Sequence, residues 1–214
     1  MRNSSYRIFE SKGPERTISK NQIVFGLWGF GLILFWAVEE FLPPIDFYNS
    51  FKFMYLIGVL ALSLYLLLVR LWTYEPLNGN LDREIQFRTT SFVIDDQIVQ
   101  LVNLIKLDIH GMDYYGRRKL LGGLDFEANL SQGVGNYIEF TRIDNKSTRV
   151  YFKQNVEYQY RELRPFIVSA IQLGKLSFLR GIELFGITDY DEIKEFKKAM
   201  AESAFVSGKE LDIL

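Results

Sequence analysis

Residues Ile23–Val38 and Phe53–Val69 contain no charged side chain, and only residues 39–52 separate them. A helix rises about 1.5 Å per residue and the hydrocarbon core of a bilayer is about 30 Å thick, so roughly 20 mostly apolar residues suffice to cross it. Both runs reach that length with their flanks. The first extends from Gln22 to Phe41 and Leu42, where Pro43-Pro44 stops it, and the second reaches Leu71 and Trp72 if Arg70 snorkels. Seven leucines between Leu56 and Leu68 outweigh Gly58 and Ser63. A buried core helix or a signal sequence is the alternative for the first run, which Gly26, Gly29 and Gly31 weaken. A cleaved signal has an apolar core of only about 7–15 residues followed by small residues, whereas Glu39-Glu40-Phe41 follow here. The pair therefore reads as a transmembrane helical hairpin.

Flanking charge sets the expected orientation, because Lys and Arg prefer the cytoplasmic side. Arg2, Arg7, Lys12, Arg16 and Lys20 precede the first run, and Arg70 and Arg83 follow the second. The connection carries Glu39, Glu40 and Asp46 against Lys52 alone. Both termini are expected in the cytoplasm, with the turn at residues 43–51 outside. The chain has no cysteine, and its 25 basic and 26 acidic residues leave no broad basic footprint for nucleic acid.

These features predict four parts: a cytoplasmic segment over 1–21, the hairpin over 22–75, a β-rich domain over 76–173, and a helical extension over 174–214. Leu77-Asn78-Gly79-Asn80 reads as the turn that separates membrane from domain. Ile85 and Phe87, then Phe92 and Ile94, alternate with polar neighbours as in half-buried strands, with Asp95-Asp96 as a turn. Residues 98–109 predict one or two further strands, ending with Ile105, Leu107 and Ile109 on one face. Tyr114–Lys119 is expected to be a turn tip or a strand start, and the glycines at 122, 123, 133 and 135 mark an irregular stretch. Ile138 with Phe140, and Val150 with Phe152, predict two strands joined at Asp144-Asn145-Lys146. Leu163, Phe166, Ile167, Ala170 and Ile171 then form one helical stripe, and Pro165 favours a start near Arg161 or Glu162.

The segments EIQFRTTSFVIDD (84–96), LIKLDIHGMDYYG (104–116), NYIEFTRIDN (136–145), TRVYFK (148–153) and RPFIVSAI (164–171) carry a resemblance. Following a two-span anchor, this pattern resembles the pleckstrin-homology-like membrane proteins of bacteria. The resemblance covers residues 80–173 and rests on pattern, not on an invariant motif. It implies a membrane-anchored α+β protein of the bacterial inner membrane, with a bent antiparallel sandwich or barrel, a helix covering one end, and a helical extension.

Chemistry is sparse. His110 is the sole histidine and alternates away from the apolar face, so it builds no multi-histidine metal site. The glycine pairs lack the lysine and hydroxyl of a phosphate loop, and Asp95-Asp96, Glu39-Glu40, Asp189 and Asp191 fit turns, interface and cap. Neither an enzyme nor a cofactor is expected. Arg117, Arg118 and Lys119 beside Tyr114 and Tyr115 are the candidate contacts for anionic headgroups, at about 1 kcal/mol per basic residue near a membrane surface. Thr188 with Asp191 resembles a capping box before Ile193, Phe196, Ala199 and Met200, a stripe that packs on its own domain or docks a partner. Two functions are compatible with these features: a membrane-tethered module for protein interaction, assembly or self-association, and a binder of anionic lipid or a small ligand.

Overall fold

The computed structural model describes residues 4–13, 18–41, 47–119, 125–157 and 159–211. Arg2, Arg16, the proline turn at 43–44 and Gly122-Gly123, all used in the sequence reading, lie outside the described residues. The elements run β1 (Ser4–Ser11), α1 (Lys20–Phe41), α2 (Tyr48–Val69), β2 (Gly79–Phe87), β3 (Ser91–Ile94), β4 (Gln97–Gln100), β5 (Leu104–His110), β6 (Tyr115–Arg118), β7 (Leu130–Gln132), β8 (Asn136–Arg142), β9 (Ser147–Phe152), α3 (Arg164–Gln172), α4 (Phe178–Phe185) and α5 (Tyr190–Leu211). The fold is α+β, and its two compact units interleave in sequence. Met1–Lys12, Gly79–Tyr115 and Gly133–Leu214 form a sheet unit; Gly13–Asn78 and Gly116–Gln132 form a helical unit.

In the sheet unit, seven strands pair in the order β4-β3-β2-β1-β9-β8-β5, every pairing antiparallel. Asp95 and Asp96 take φ of 45° and 67°, the left-handed conformation of a tight two-residue hairpin, and Asn145 (φ 60°) turns β8 into β9. Alternation places Ile85 and Phe87 of β2, Ile138 and Phe140 of β8, and Phe152 of β9 in one buried core with Phe92. Val150 packs against that core while partly buried.

Three details differ from the sequence reading. Residues 4–11, expected only as part of the leading segment over 1–21, form the strand between β2 and β9, with Tyr6 and Ile8 in the core and Ser5 and Arg7 exposed. Gly79 and Asn80, expected in a turn, open β2 opposite Ser11 and Glu10. Ile105 does not share the core face with Leu107 and Ile109. The register of β5 shifts between Leu104 and Lys106, so Leu104 turns inward and Ile105 is exposed. An extra residue in a ladder reverses the alternation on one side of the bulge.

A 3-10 turn at Gln159–Leu163 leads into α3, with Pro165 in the first turn where its missing N–H costs nothing. Phe166, Ile167 and Ala170 face the core, and the Phe166 ring lies 5.1 Å from that of Phe87. The region expected only as a helical extension adds α4 to this core. The hydroxyl of Ser177 caps α4 by accepting from Arg180 N (3.2 Å), and Gly186 at φ 65° ends it, with Ile187 N donating to Ile182 O (3.1 Å). Leu176 and Leu184 join the core cluster.

In the helical unit α1 and α2 pack through aromatic contacts. Gly31 admits the Tyr55 ring, and Tyr55 Oη donates to Leu27 O (2.7 Å). Phe35 meets the rings of Tyr48, Phe51 and Tyr55 edge-on, and Trp28 Nε1 donates to Ser63 Oγ (3.2 Å). Both helices are long and apolar enough to cross a membrane, and 17% and 11% of their most apolar windows are buried within the protein. A core helix of a soluble domain would bury most of that surface.

Candidate functional site

Residues 125–132 fasten the two ends of the helix pair to each other and carry the basic tract with them. At the start of α1, Asn21 Nδ2 donates to Asp125 Oδ1 (3.0 Å) and Asn21 Oδ1 accepts from Phe126 N (2.7 Å), while Phe25 packs edge-on against Phe126 (5.9 Å). Beyond α2, the Arg70 guanidinium donates to Asp125 O, Asn129 N donates to Arg70 O (3.2 Å), and Glu75 N donates to Leu130 O (2.9 Å). The Asp125 carboxylate accepts from Glu127 N (2.9 Å) and from Asn21; these bonds, with the Arg70 charge behind them, hold its pKa below the usual carboxylate value.

Arg117 and Arg118 lie on β6, which pairs with β7, and Lys119 follows directly. The tract is therefore a strand end, and successive residues of a strand point to opposite faces. Lys119 is tied back into the unit: its backbone N donates to Asn129 O (2.8 Å) and its Nζ pairs with Glu75. The three cations expected as one cluster are thus divided, with Lys119 neutralised locally. All three are exposed. Tyr115 belongs to the sheet unit, where its N donates to Gln154 O (2.9 Å) and Lys153 Nζ sits 5.0 Å from its ring.

The stripe on α5 is taken up inside the sheet unit. Phe196 is buried, stacked on Phe178 (5.8 Å) and edge-on to Phe185 (5.5 Å), while Ile193 and Met200 are half-buried and Ala199 is exposed. A partner reaching Phe196 would first have to displace α4. The cap of α5 is Asp189, not Thr188: Asp189 Oδ1 accepts from Asp191 N (2.9 Å) and Glu192 N (3.2 Å). The helix begins one residue later than the Thr188–Asp191 spacing implies, and a carboxylate is the better cap beside the positive end of the helix.

His110 lies at the end of β5 with its ring stacked on Tyr137 (5.3 Å) and its Nδ1 3.2 Å from Arg180 Nη2. Arg180 also reaches Ile109 O (3.0 Å), Asp108 (3.3 Å) and Glu183 (2.7 Å). Sequence reasoning missed this arginine because about 70 residues separate it from the strand edge that it covers. Burial, with the charge of Glu162 adding to it, pushes the Tyr6 phenol above its usual range, and Tyr6 Oη stays a neutral donor to Gln159 O (2.8 Å). Among the described residues no group of three or more His, Cys, Asp or Glu side chains is placed to hold a metal ion.

No protein-family model, no curated protein and no solved structure matches this chain.

Proposed function

We propose that the protein is a membrane-tethered interaction or assembly module without catalytic activity, in which α1 and α2 cross the bilayer and a pleckstrin-homology-like domain works in the cytoplasm. One observation carries the tethering. The strands that flank the apolar pair in sequence, β1 and β2, are hydrogen-bonded to each other from Ser4↔Phe87 to Ser11↔Gly79. Two paired strands lie on one side of a membrane, so the chain between them crosses an even number of times. The basic residues before α1 and after α2 support the cytoplasmic side. The continuous antiparallel order, with Phe166 and Ile167 of α3 laid on its core, supports the pleckstrin-homology-like reading.

The chain contains no cysteine, which makes single introduced thiols clean reporters. With a membrane-impermeant maleimide applied to intact cells, Ser50→Cys is expected to label and Thr90→Cys to label only after permeabilisation. Equal labelling of both before permeabilisation would overturn the hairpin. For the module itself, extraction in mild detergent at low salt followed by mass spectrometry is expected to retain a stoichiometric protein partner or a self-associated species.

One observation favours the second reading, an anionic lipid surface at Arg117 and Arg118. Both belong to the unit that contains the apolar helices, on a segment tied to Glu75 just beyond α2. Enriched anionic lipid without a protein partner, lost in Arg117→Gln/Arg118→Gln, would support it. A lipid-free monomer would sink both readings.

A further inference from the structure

The outer strands of the seven-stranded sheet are β4 and β5. The chain itself occupies the outer edge of β5, where Leu107 N donates to Lys175 O (2.8 Å) and the Arg180 guanidinium donates to Ile109 O (3.0 Å). The outer edge of β4 is open. In a two-residue hairpin the residues that flank the turn exchange hydrogen bonds, and bonded pairs alternate from there. Ile94↔Gln97 and Phe92↔Val99 are therefore the bonded pairs of β3 and β4, and Leu101 N continues them by donating to Thr90 O (2.9 Å). The N–H and C=O groups of Ile98 and Gln100 point the other way and meet no hydrogen-bond partner among the described residues. An open cavity of about 210 Å³ runs along this edge, with Arg142 in its lining. Edges that must stay single are usually blunted by charge or covered, whereas Gln97–Gln100 carries no charge and Ile98 is 58% exposed.

We infer that two copies of this chain pair through the open edge of β4, antiparallel about a twofold axis, so that the two sheets continue into each other. The inference rests on the reading of the protein as an assembly module and names the surface that assembles. One register uses both free residues of each copy. Val99 sits on the axis and Ile98 of each copy lies opposite Gln100 of the other, giving two bonded pairs of two hydrogen bonds each. Charge favours a second copy over an unrelated strand. Asp96 and Arg142 are exposed and form no salt bridge among the described residues. Antiparallel pairing carries the Asp95-Asp96 turn of each copy alongside residues 101–103 of the other, next to Leu104, whose strand partner is Arg142. Each Asp96 thereby approaches the Arg142 of the other copy, twice over by symmetry.

The test uses the full chain in mild detergent. Sedimentation equilibrium is expected to show a monomer–dimer equilibrium that Gln100→Pro weakens at least about tenfold, because the ring removes one donor from each copy and fills the space of the facing strand. Within one chain the same change is tolerable, since this N–H has no internal partner and the φ of −84° is close to that of proline. If Gln100→Pro nevertheless lowers the melting temperature, Ile98→Lys serves as the variant, placing like charges diagonally across the axis. Thiols read the register. Opposite residues of a bonded pair have Cα atoms about 5.5 Å apart, within reach of a disulfide, and diagonal residues about 7–8 Å. A mixture of Ile98→Cys and Gln100→Cys is expected to form more disulfide dimer on oxidation than either variant alone. A chain that stays monomeric, a dimer indifferent to the edge variants, or a disulfide yield no higher in the mixture would overturn the inference. So would a different protein disulfide-bonded through Ile98→Cys in place of a second copy. A stoichiometric protein partner retained in any of these cases would leave the module reading standing.

Discussion

Asn136 is fully buried, and its amide is used on both sides: Nδ2 donates to Asp113 O (2.7 Å) and Gly133 O (2.9 Å), and Oδ1 accepts from Asp113 N (2.9 Å). It replaces solvent for a loop that would otherwise enter the core with unpaired backbone groups. Asn136→Ala leaves those groups unsatisfied and is expected to cost about 2–3 kcal/mol, read as a lowered melting temperature of the detergent-solubilised protein. Asp125 supplies a pH dependence. Its folded pKa lies below the ordinary value, so its stabilising contribution is complete above that value, about 3.9, and is lost as pH falls through the depressed folded pKa. Protection of the Phe126 and Glu127 amides from hydrogen exchange should hold at pH 5 and fall below about pH 4. In Asp125→Asn that pH dependence should vanish.

The start of α5 shows how one position separates spacing from geometry. The alternation of hydroxyl and carboxylate at Thr188 and Asp191 looks like a capping box, yet the atom that accepts from the first free amides is Asp189 Oδ1. Asp189→Ala is expected to destabilise α5 by about 1 kcal/mol and Thr188→Ala to be near neutral, measured by exchange protection along residues 190–200. Strand β5 teaches a similar lesson, since periodicity puts Ile105 inside and the bulge puts it outside. The basic tract is a third case. Adjacency in sequence reads as a cluster of charge, while the pleat and the Lys119–Glu75 pair divide it.

Across the whole chain, the insertion of the apolar hairpin between two paired strands is the organising fact. β1 lies between β2 and β9, so every strand on one side of the sheet connects to the other through residues 4–11. Ile8→Pro removes a backbone donor and adds a ring inside an interior strand. Loss of the cooperative thermal transition is expected, with the helical circular-dichroism signal of α1 and α2 retained in detergent. A merely polar leading segment would tolerate the same change.

Much of the architecture was legible from the chain because it depends on local periods. The two uncharged runs became α1 and α2, the Asp95-Asp96 and Asp144-Asn145-Lys146 turns became hairpins, and the stripe at Leu163, Phe166, Ile167 and Ala170 became a helix facing the core. Side-chain spacing and turn chemistry decide such features within a few residues. What tertiary contacts alone settled has a different physical origin. Tyr6 and Ile8 are only two apolar positions, and their strand exists because Phe87 and Phe152, far along the chain, offer a surface to bury them against. Arg180 is separated from Asp108 and Ile109 by β6 to β9 and α3, and only the packing of α4 against the edge of β5 brings them together. Local sequence sets the price of each turn and helix, whereas the partners of a strand and the neighbours of a charge are chosen by which distant surfaces exclude water together.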